Sequence, residues 1–351
     1  MPELTHSRLG ERPALSRREL FAQHPLLTRE PVETAEMVAV YRLIRFLLSI
    51  GGEGCCIEGA RLSGKSTLIS TVRLYLGADY PDVPNYLFVM PKAELTRDEF
   101  HVRWLGALKH QFFQGSKDTR LERIRARFVD DAGRVGARKI ALFLDNAHLM
   151  KQRELDFLTD LQGDLAVDNL HLVCILFGDV GTARGLLDLG ADKSQDSGAD
   201  KSPAINSLNL SVLLHGLTRN EVRLVFETLD ALPFFQAGTT WTEFFVPQAW
   251  MDGWRLKDYV GAFFEGLTNS GLADALRAGT AKTKMDDPDV PAGLLFMTLR
   301  HLMVYLGSLG GEFDKMTMSE YWETAIRVSG YTSIDLSLSE ALPMFGFSPT
   351  R

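Results

Sequence analysis

The segment that decides the fold is GARLSGKST, which runs from Gly59 to Thr67. It matches the pattern G-x-x-x-x-G-K-[ST], and it stands between the apolar run Cys55–Ile57 and a helical pattern that begins at Leu68. In this strand–loop–helix context, glycines let backbone N–H groups close around phosphate oxygens, and the helix N-terminus adds a partial positive charge. The segment therefore predicts a loop that binds nucleotide phosphates.

The residue types in the loop also predict the ligands. Lys65 can neutralise charge on the β- and γ-phosphates, and the Ser66 hydroxyl can ligate Mg²⁺. We therefore expect ATP and Mg²⁺ as cofactors. The residues expected to contact ATP here are Gly59, Ala60, Arg61, Ser63, Gly64, Lys65, Ser66 and Thr67.

A second apolar run, IALFLDNAH from Ile140 to His148, supplies the metal side of the same site. Asp145 ends the predicted strand, where a carboxylate can hold Mg²⁺ together with Ser66. With Lys65, Asp145 and Asn146 form the predicted catalytic set. Because Asn146 can orient a water but cannot accept its proton, we expect slow hydrolysis. His148 is either a contact to the γ-phosphate or a structural histidine.

Two further positions are candidate nucleotide contacts. Asp179 follows the apolar run Leu170–Phe177, where a polar residue can sense the γ-phosphate; Thr182 is the alternative, and a simple glycine turn is another. Arg255 opens an apolar helix in the C-terminal half. It is expected either to reach the phosphates when a lid closes or to remain solvated or ion-paired.

The order of apolar runs predicts an α/β fold. Five short runs alternate with helical patterns, namely Cys55–Ile57, Tyr86–Met90, Ile140–Leu144, Leu170–Phe177 and Leu208–Leu214. The middle three are nearly continuous, as in parallel strands that are covered on both faces. This predicts a P-loop NTPase with a five-stranded parallel sheet and a C-terminal helical lid domain.

The domain boundaries follow from the same pattern. We expect a loosely ordered N-terminal arm at 1–30, the ATPase core at 31–215, a helical lid at 216–331 and a tail at 332–351, and either end is a candidate for docking a partner. A helix is predicted from Pro31 to Ile50, and Thr218 with Glu221 forms a capping box at the start of the lid. The repeated GADKS at 190–194 and 198–202 predicts a surface loop.

Composition narrows the class of protein. The chain has 351 residues, of which 45% are hydrophobic and 24% are charged, which suits one large domain or two ordinary ones. Since it has no apolar stretch long enough to span a bilayer and no signal pattern, we expect a cytoplasmic protein with no membrane partner. The three cysteines have no metal-ligand spacing and are expected to be buried thiols.

A basic stretch at 114–139 points to nucleic acid. Its predicted DNA contacts are Lys117, Arg120, Arg123 and Arg127, of which the three arginines recur at helical spacing. Lys and Arg on one face bind phosphates without reading bases. Because acidic residues are interspersed, a solvated, ion-paired helix is the alternative. The net charge of −7 argues against polyanion binding by the surface as a whole but not against a local basic stripe.

The order HPLL (His24–Leu27), GARLSGKST, LFLDNAH, ILFGDVG and then a capped helix resembles the TnsC and TniB family of AAA+ transposition regulators. The resemblance extends over roughly residues 20–330, and its motifs match Lys65, Ser66 and Asp145. Asn146 stands where that family has Glu. For the family's inter-subunit arginine finger, this chain offers only Lys193, Lys201 and Arg184.

The resemblance implies a matchmaker that binds ATP and assembles as a homo-oligomeric ring or filament on double-stranded DNA. Such a protein links a target-selection protein to the transposase. In the initiator-like AAA+ group, a helical insertion between the second and third strands faces DNA, and the basic stretch lies between those strands. A STAND-like signalling or defence switch and a helicase-loader-type ATPase are the alternatives.

Overall fold

The computed structural model describes residues 15–197, 209–278, 286–309, 313–314 and 317–330. The chain divides into two compact units. We call the first the sheet unit, which comprises Glu33–Leu217 with Asp289–Leu295. The second, the helical unit, comprises the described parts of 1–32, 218–288 and 296–351. The short segment 289–295 therefore belongs with the sheet, although the sequence places it in the predicted lid.

A parallel sheet forms the centre of the sheet unit. Its strands are β1 (Gly54–Gly59), β2 (Asn85–Val89), β3 (Lys139–Asp145), β4 (His171–Gly178) and β5 (Ser211–Leu214). Their order across the sheet is β2-β3-β4-β1-β5, and each neighbouring pair is parallel. The predicted five-stranded parallel sheet is confirmed. This order brings the carboxyl ends of β1, β3 and β4 side by side.

Helices cover both faces of the sheet because the strands are apolar on both faces. They are α3 (Ala35–Ile50), α4 (Lys65–Asp79), α5 (Arg97–Ala107), α6 (Lys117–Val135), α7 (Gln152–Val167) and α8 (Thr182–Ser197). Along β3, Phe143 packs with α3 and α4 on one face, whereas its neighbours Leu142 and Leu144 pack with α5, α6 and α7 on the other. This alternation of successive side chains is the period-2 geometry of a strand.

The helical unit contains α1 (Arg17–Gln23), α2 (Pro25–Thr28), α9 (Arg219–Ala231), α10 (Pro247–Met251), α11 (Val260–Asn269), α12 (Leu272–Arg277), most of α13 (Ala292–Ser308) and α14 (Met318–Val328). A small hairpin pairs Pro233–Phe234 with Thr239–Thr240. At the start of α9, Thr218 and Glu221 form the capping box that the sequence predicts.

The N-terminal segment differs from the loose arm expected from the sequence. Residues 17–28 form α1 and α2, and His24 between them is fully buried. One ring nitrogen of His24 accepts the Leu26 N–H (3.1 Å), and Nε2 lies 3.0 Å from the carbonyl oxygen of Trp241. The rings of Phe244 and Phe245 pack against it. The sequence suggested a loosely ordered arm because arginines are scattered among polar residues and Pro13 in this segment.

Three smaller predictions have mixed outcomes. The predicted first helix begins at Ala35 rather than Pro31, after the N-cap Thr34. α8 continues through the first GADKS copy, which the sequence assigned to a loop. The second copy lies outside the described residues, as do 1–14 and the tail at 332–351.

The cysteines are buried thiols, and burial raises the pKa of each to about 12. Among the described helices, none has the length and apolarity needed to cross a membrane.

Candidate nucleotide site

The phosphate loop connects β1 to α4 and has a tightly curled backbone. Leu62 and Gly64 both adopt positive φ angles, of 64° and 93°. A Cβ on Gly59 would lie 2.5 Å from Ser63 Oγ, so any larger residue there would displace the Ser63 side chain. Ser63 is buried, and its hydroxyl has no protein partner in the described structure. A buried hydroxyl without a partner in this loop fits a ligand that supplies phosphate oxygens.

Lys65 crosses the mouth of this loop. Its ammonium donates to the carbonyl oxygens of Gly59 (2.6 Å) and Ala60 (3.0 Å) and lies 3.2 Å from Asp179 Oδ1. Asp179 Oδ2 in turn lies 3.6 Å from His148 Nε2. The structure therefore brings the three predicted residues together. The side-chain partners that the structure shows for the Asp179 carboxylate are Lys65 and His148, and direct contact of this carboxylate with a phosphate would be repulsive.

The metal side of the site joins α4 to the end of β3. Ser66 Oγ donates to Asp145 Oδ2 at 3.0 Å, and Asp145 is buried. Hydroxyl and carboxylate oxygens are the hard ligands that Mg²⁺ prefers, and phosphate oxygens and water usually complete its shell. Within the described ranges, no group of three or more His, Cys, Asp or Glu side chains is arranged for a metal. Ser66 and Asp145 therefore suit a nucleotide-bound Mg²⁺ rather than an all-protein metal site.

Asn146 follows Asp145 with a φ of 58°, the left-handed conformation that asparagine tolerates better than most residues. Its backbone N–H donates to Asp145 Oδ1 (2.8 Å), and its side-chain amide reaches the Met90 carbonyl at the end of β2 (3.4 Å). The residue thus ties two strand ends together. Its side chain supplies no proton acceptor comparable to a carboxylate.

The other residues predicted to contact ATP differ in their surroundings. Ala60, Arg61 and Thr67 are exposed around the phosphate loop. Thr182 donates its hydroxyl to the Asp179 carbonyl at 2.6 Å, which is a turn-forming bond. Arg255 lies in the helical unit, where its guanidinium donates to two tryptophan carbonyls, those of Trp250 and Trp254, and stacks on the Trp250 ring. These hydrogen bonds and the ring contact are to residues within five positions of Arg255.

Two residues that the sequence did not indicate support the site. Gly293 donates its backbone N–H to the Leu62 carbonyl at 2.7 Å, so the segment 289–295 closes onto the phosphate loop. Glu58 accepts the Ala183 N–H at 2.6 Å near the start of α8. No motif marks Gly293, which lies 231 residues after Leu62. For Glu58, the only indication in the sequence was that a carboxylate stands directly before the phosphate loop.

The basic helix α6 is more internally bonded than the sequence suggested. Arg120 pairs with Asp98 (3.1 Å), and Arg127 pairs with Asp131 (2.9 Å). Arg123 donates to the backbone carbonyl of Gln114, in the loop before the helix. Arg120 and Arg127 thus match the ion-paired alternative, Arg123 is bonded to the backbone, and Lys117 is exposed. Helical spacing gave their common face correctly but not their partners.

Comparison with known proteins shows the fold. No family model and no curated protein matches the chain. The Aeropyrum pernix ORC2 protein, in a structure of ADPNP-ADP complexes, aligns with a TM-score of 0.55 and 14% identity over 88% of this chain and 74% of that one. Its ADP form aligns with a TM-score of 0.51 and 12% identity, over 94% and 73%. The chain has an AAA+ fold.

Domain III of the Thermotoga maritima replication initiation protein DnaA aligns with a TM-score of 0.46 and 12% identity, over 86% of this chain and 98% of that one. At these identities the likeness is one of fold, so the activity of this chain has to be argued from its own site.

Proposed function

We propose that this protein is an AAA+ ATPase that binds ATP with Mg²⁺, hydrolyses it slowly, and acts on double-stranded DNA as a regulator of transposition. The observation that carries the proposal is the junction of Lys65, Ser66, Asp145 and Asp179 at the carboxyl ends of β1, β3 and β4. Ligands of open α/β sheets bind at this edge. The site suits a polyphosphate with its metal ion because it combines the curled phosphate loop, the Lys65 ammonium and the Ser66–Asp145 pair.

Each group has a defined part in binding. The backbone N–H groups of the loop and the N-terminus of α4 attract phosphate oxygens, and Lys65 adds a full positive charge. In the structure the Lys65 ammonium donates to two carbonyls and to Asp179. When ATP binds, phosphate oxygens would replace these acceptors. Mg²⁺ would be held by Ser66 and Asp145, and it would neutralise charge that develops on the phosphates. The ADPNP and ADP named for the ORC2 structures support this choice of ligand.

Slow turnover follows from the position of Asn146. Its amide can orient an attacking water, but a proton acceptor has to come from elsewhere. Candidate proton acceptors in the site are His148 and Asp179, whose Nε2 and Oδ2 atoms lie 3.6 Å apart. This arrangement suits a protein in which the ATP-bound state persists and hydrolysis ends it. A long-lived ATP state is useful to a regulator that must stay assembled while partners arrive.

The action on DNA rests on the helical insertion of α5 and α6 between β2 and β3 and on the resemblance to TnsC and TniB. In this proposal, ATP-bound protomers assemble as a ring or filament along a duplex, and the assembly connects a target-selection protein to the transposase. The net charge of −7 opposes DNA binding by single protomers, so assembly is what makes binding effective.

Calorimetry with ATP tests the nucleotide part. Lys65→Ala should weaken ATP binding about 10- to 100-fold, the effect of losing a charge-assisted contact. Lys92→Ala is the matched control because Lys92 is an exposed lysine in the loop after β2. Unchanged ATP affinity in Lys65→Ala would contradict the proposal.

Anisotropy with a fluorescent duplex, with and without ATP, tests the DNA part, and electron microscopy tests assembly. We expect duplex binding and rings or filaments only with ATP. ATP binding without any duplex binding would instead favour the signalling switch. Pull-down of a transposase from the same genome would support the transposition role.

A further inference from the structure

The loop between α5 and α6, residues 108–116, presents two adjacent phenylalanines to solvent. Phe112 is 65% exposed and Phe113 is 40% exposed. Exposed apolar residues are common singly, but two consecutive exposed phenylalanines in one short loop offer more apolar surface than a single exposed side chain does. Because the loop lies in the insertion between β2 and β3, it belongs to the part of the sheet unit that we associate with DNA.

The backbone of this loop is held in place by several bonds. Arg120 Nε donates to the Phe113 carbonyl at 3.1 Å, and Arg123 donates to the next carbonyl, that of Gln114. The Phe112 N–H donates to the imidazole of His110 at 3.0 Å. Two of the arginines predicted to bind DNA therefore serve as supports for the phenylalanine loop. A loop supported in this way loses little further conformational entropy when its tip binds a partner.

The loop 108–116 itself carries positive charge and no acidic residue; the neighbouring acidic residues Asp98 and Asp118 lie in α5 and α6, and Asp98 is paired with Arg120. Between Phe100 and Lys117 the sequence has no acidic residue, although the chain as a whole carries a net charge of −7. The same stretch contains Arg103, Lys109 and Lys117, all of which are exposed. An apolar tip flanked by cations is the composition of proteins that insert a side chain between base pairs in the minor groove while lysines contact the phosphates on either side.

We propose that Phe112 and Phe113 form a wedge that enters the minor groove of duplex DNA and partly unstacks a base step, with Lys109 and Lys117 on the adjacent phosphates. Gln111 and Gln114 flank the two rings, and their amides can bond groove-edge acceptors, which every base pair offers. The wedge would deform DNA without selecting one sequence. It would favour steps that unstack easily, such as TA. This inference rests on the proposed DNA function and names the residues that would contact the duplex.

The test uses the full-length protein with ATP and a 30-base-pair duplex that carries 2-aminopurine at TA steps, because 2-aminopurine fluorescence rises on unstacking. The double variant Phe112→Ser with Phe113→Ser should bind duplex about tenfold more weakly. It should also lose the fluorescence rise. Phe112→Leu with Phe113→Leu keeps an apolar wedge and should retain most of both signals. Phe46→Ser, which removes an exposed phenylalanine of α3, is the matched control.

Salt dependence separates the wedge from the phosphate contacts. An apolar wedge releases no counterions, so the serine variant should lose affinity at every salt concentration with an unchanged slope. Lys109→Gln with Lys117→Gln should instead reduce the slope of log affinity against log salt by about 1.8, or about 0.9 for each contact. Normal ATP affinity in the serine variant would show that its nucleotide site, which lies in the same unit as the loop, is intact.

The possible results distinguish failure of the wedge from failure of the proposed DNA function. If the native protein with ATP binds no duplex, the DNA part of the proposed function fails and this inference fails with it. If the native protein binds duplex, and the serine variant binds equally well or the native protein causes no fluorescence rise, the wedge alone is wrong. Loss of self-association without DNA in the serine variant would also overturn it, because the rings would then contact a second copy of the chain.

Discussion

Gly293→Ala tests whether the segment 289–295 holds the phosphate loop in its binding shape. The Gly293 N–H donates to the Leu62 carbonyl at 2.7 Å, and Leu62 itself has a φ of 64°, which is unfavourable for a leucine. The segment is anchored nearby by the paired backbones of Val290 and Leu217. The loop therefore depends on a distant part of the chain to maintain a strained conformation.

The size of the effect follows from the contact distances. A Cβ on Gly293 would lie 2.6 Å from the Leu62 carbonyl oxygen, whereas ordinary contacts begin at 3.4 Å, so the two backbones must separate by about 0.8 Å. Such a shift takes an N–H···O bond of ordinary length beyond its useful range. If one charge-assisted bond from the loop to a phosphate is lost, about 1.5–3 kcal/mol of binding free energy is lost with it. We therefore expect ATP affinity to fall at least about tenfold.

The assay compares nucleotides by calorimetry. ATP and ADP should both bind Gly293→Ala more weakly, whereas AMP, which lacks the β- and γ-phosphates, should bind as it does to the native protein. Gly163→Ala is the matched control, since a Cβ on this α7 glycine meets nothing within 4 Å. Thermal unfolding without nucleotide establishes that Gly293→Ala is folded. ATP binding at native affinity, or equal losses for ATP and AMP, would refute the reasoning.

Two other predictions concern catalysis and pH. Asn146→Glu should raise ATP turnover, measured as phosphate release, because it adds a base; it should also lower the melting temperature, because a φ of 58° suits Asn better than Glu. Asn146→Gln is its neutral control, and equal turnover in the two variants would contradict the assignment. Burial lowers the pKa of His24 to about 4 from an ordinary 6.5. Since the unfolded chain then binds more protons, stability falls as the pH decreases from 6.5 towards 4, by about 2 kcal/mol at pH 5. Urea unfolding at pH 7.5 and pH 5 should show a smaller loss for His24→Gln than for the native protein, and equal losses would exclude His24 as the cause.

The behaviour of α6 shows where sequence patterns fail. Helical spacing put Arg120, Arg123 and Arg127 on one face, and the structure agrees that all three lie in one helix. The pattern could not reveal that Asp98, from the preceding helix, neutralises Arg120, nor that Arg123 bonds a loop carbonyl. Periodicity describes one helix at a time, whereas the charge that a partner meets depends on every segment packed beside that helix.

The amino-acid sequence by itself determined the elements whose chemistry lies in continuous chain. The phosphate loop from Gly59 to Ser66 needs only a strand, a tight turn and a helix in succession, and Asp145 is positioned by the end of its own apolar strand. Tertiary structure alone decided which distant groups complete them. Gly293 contacts Leu62, and His24 enters an aromatic cluster more than 200 residues away, because chain folding joins these segments. Hydrogen bonds and packing act over a few ångströms of space whatever the separation along the chain, so no local pattern records them.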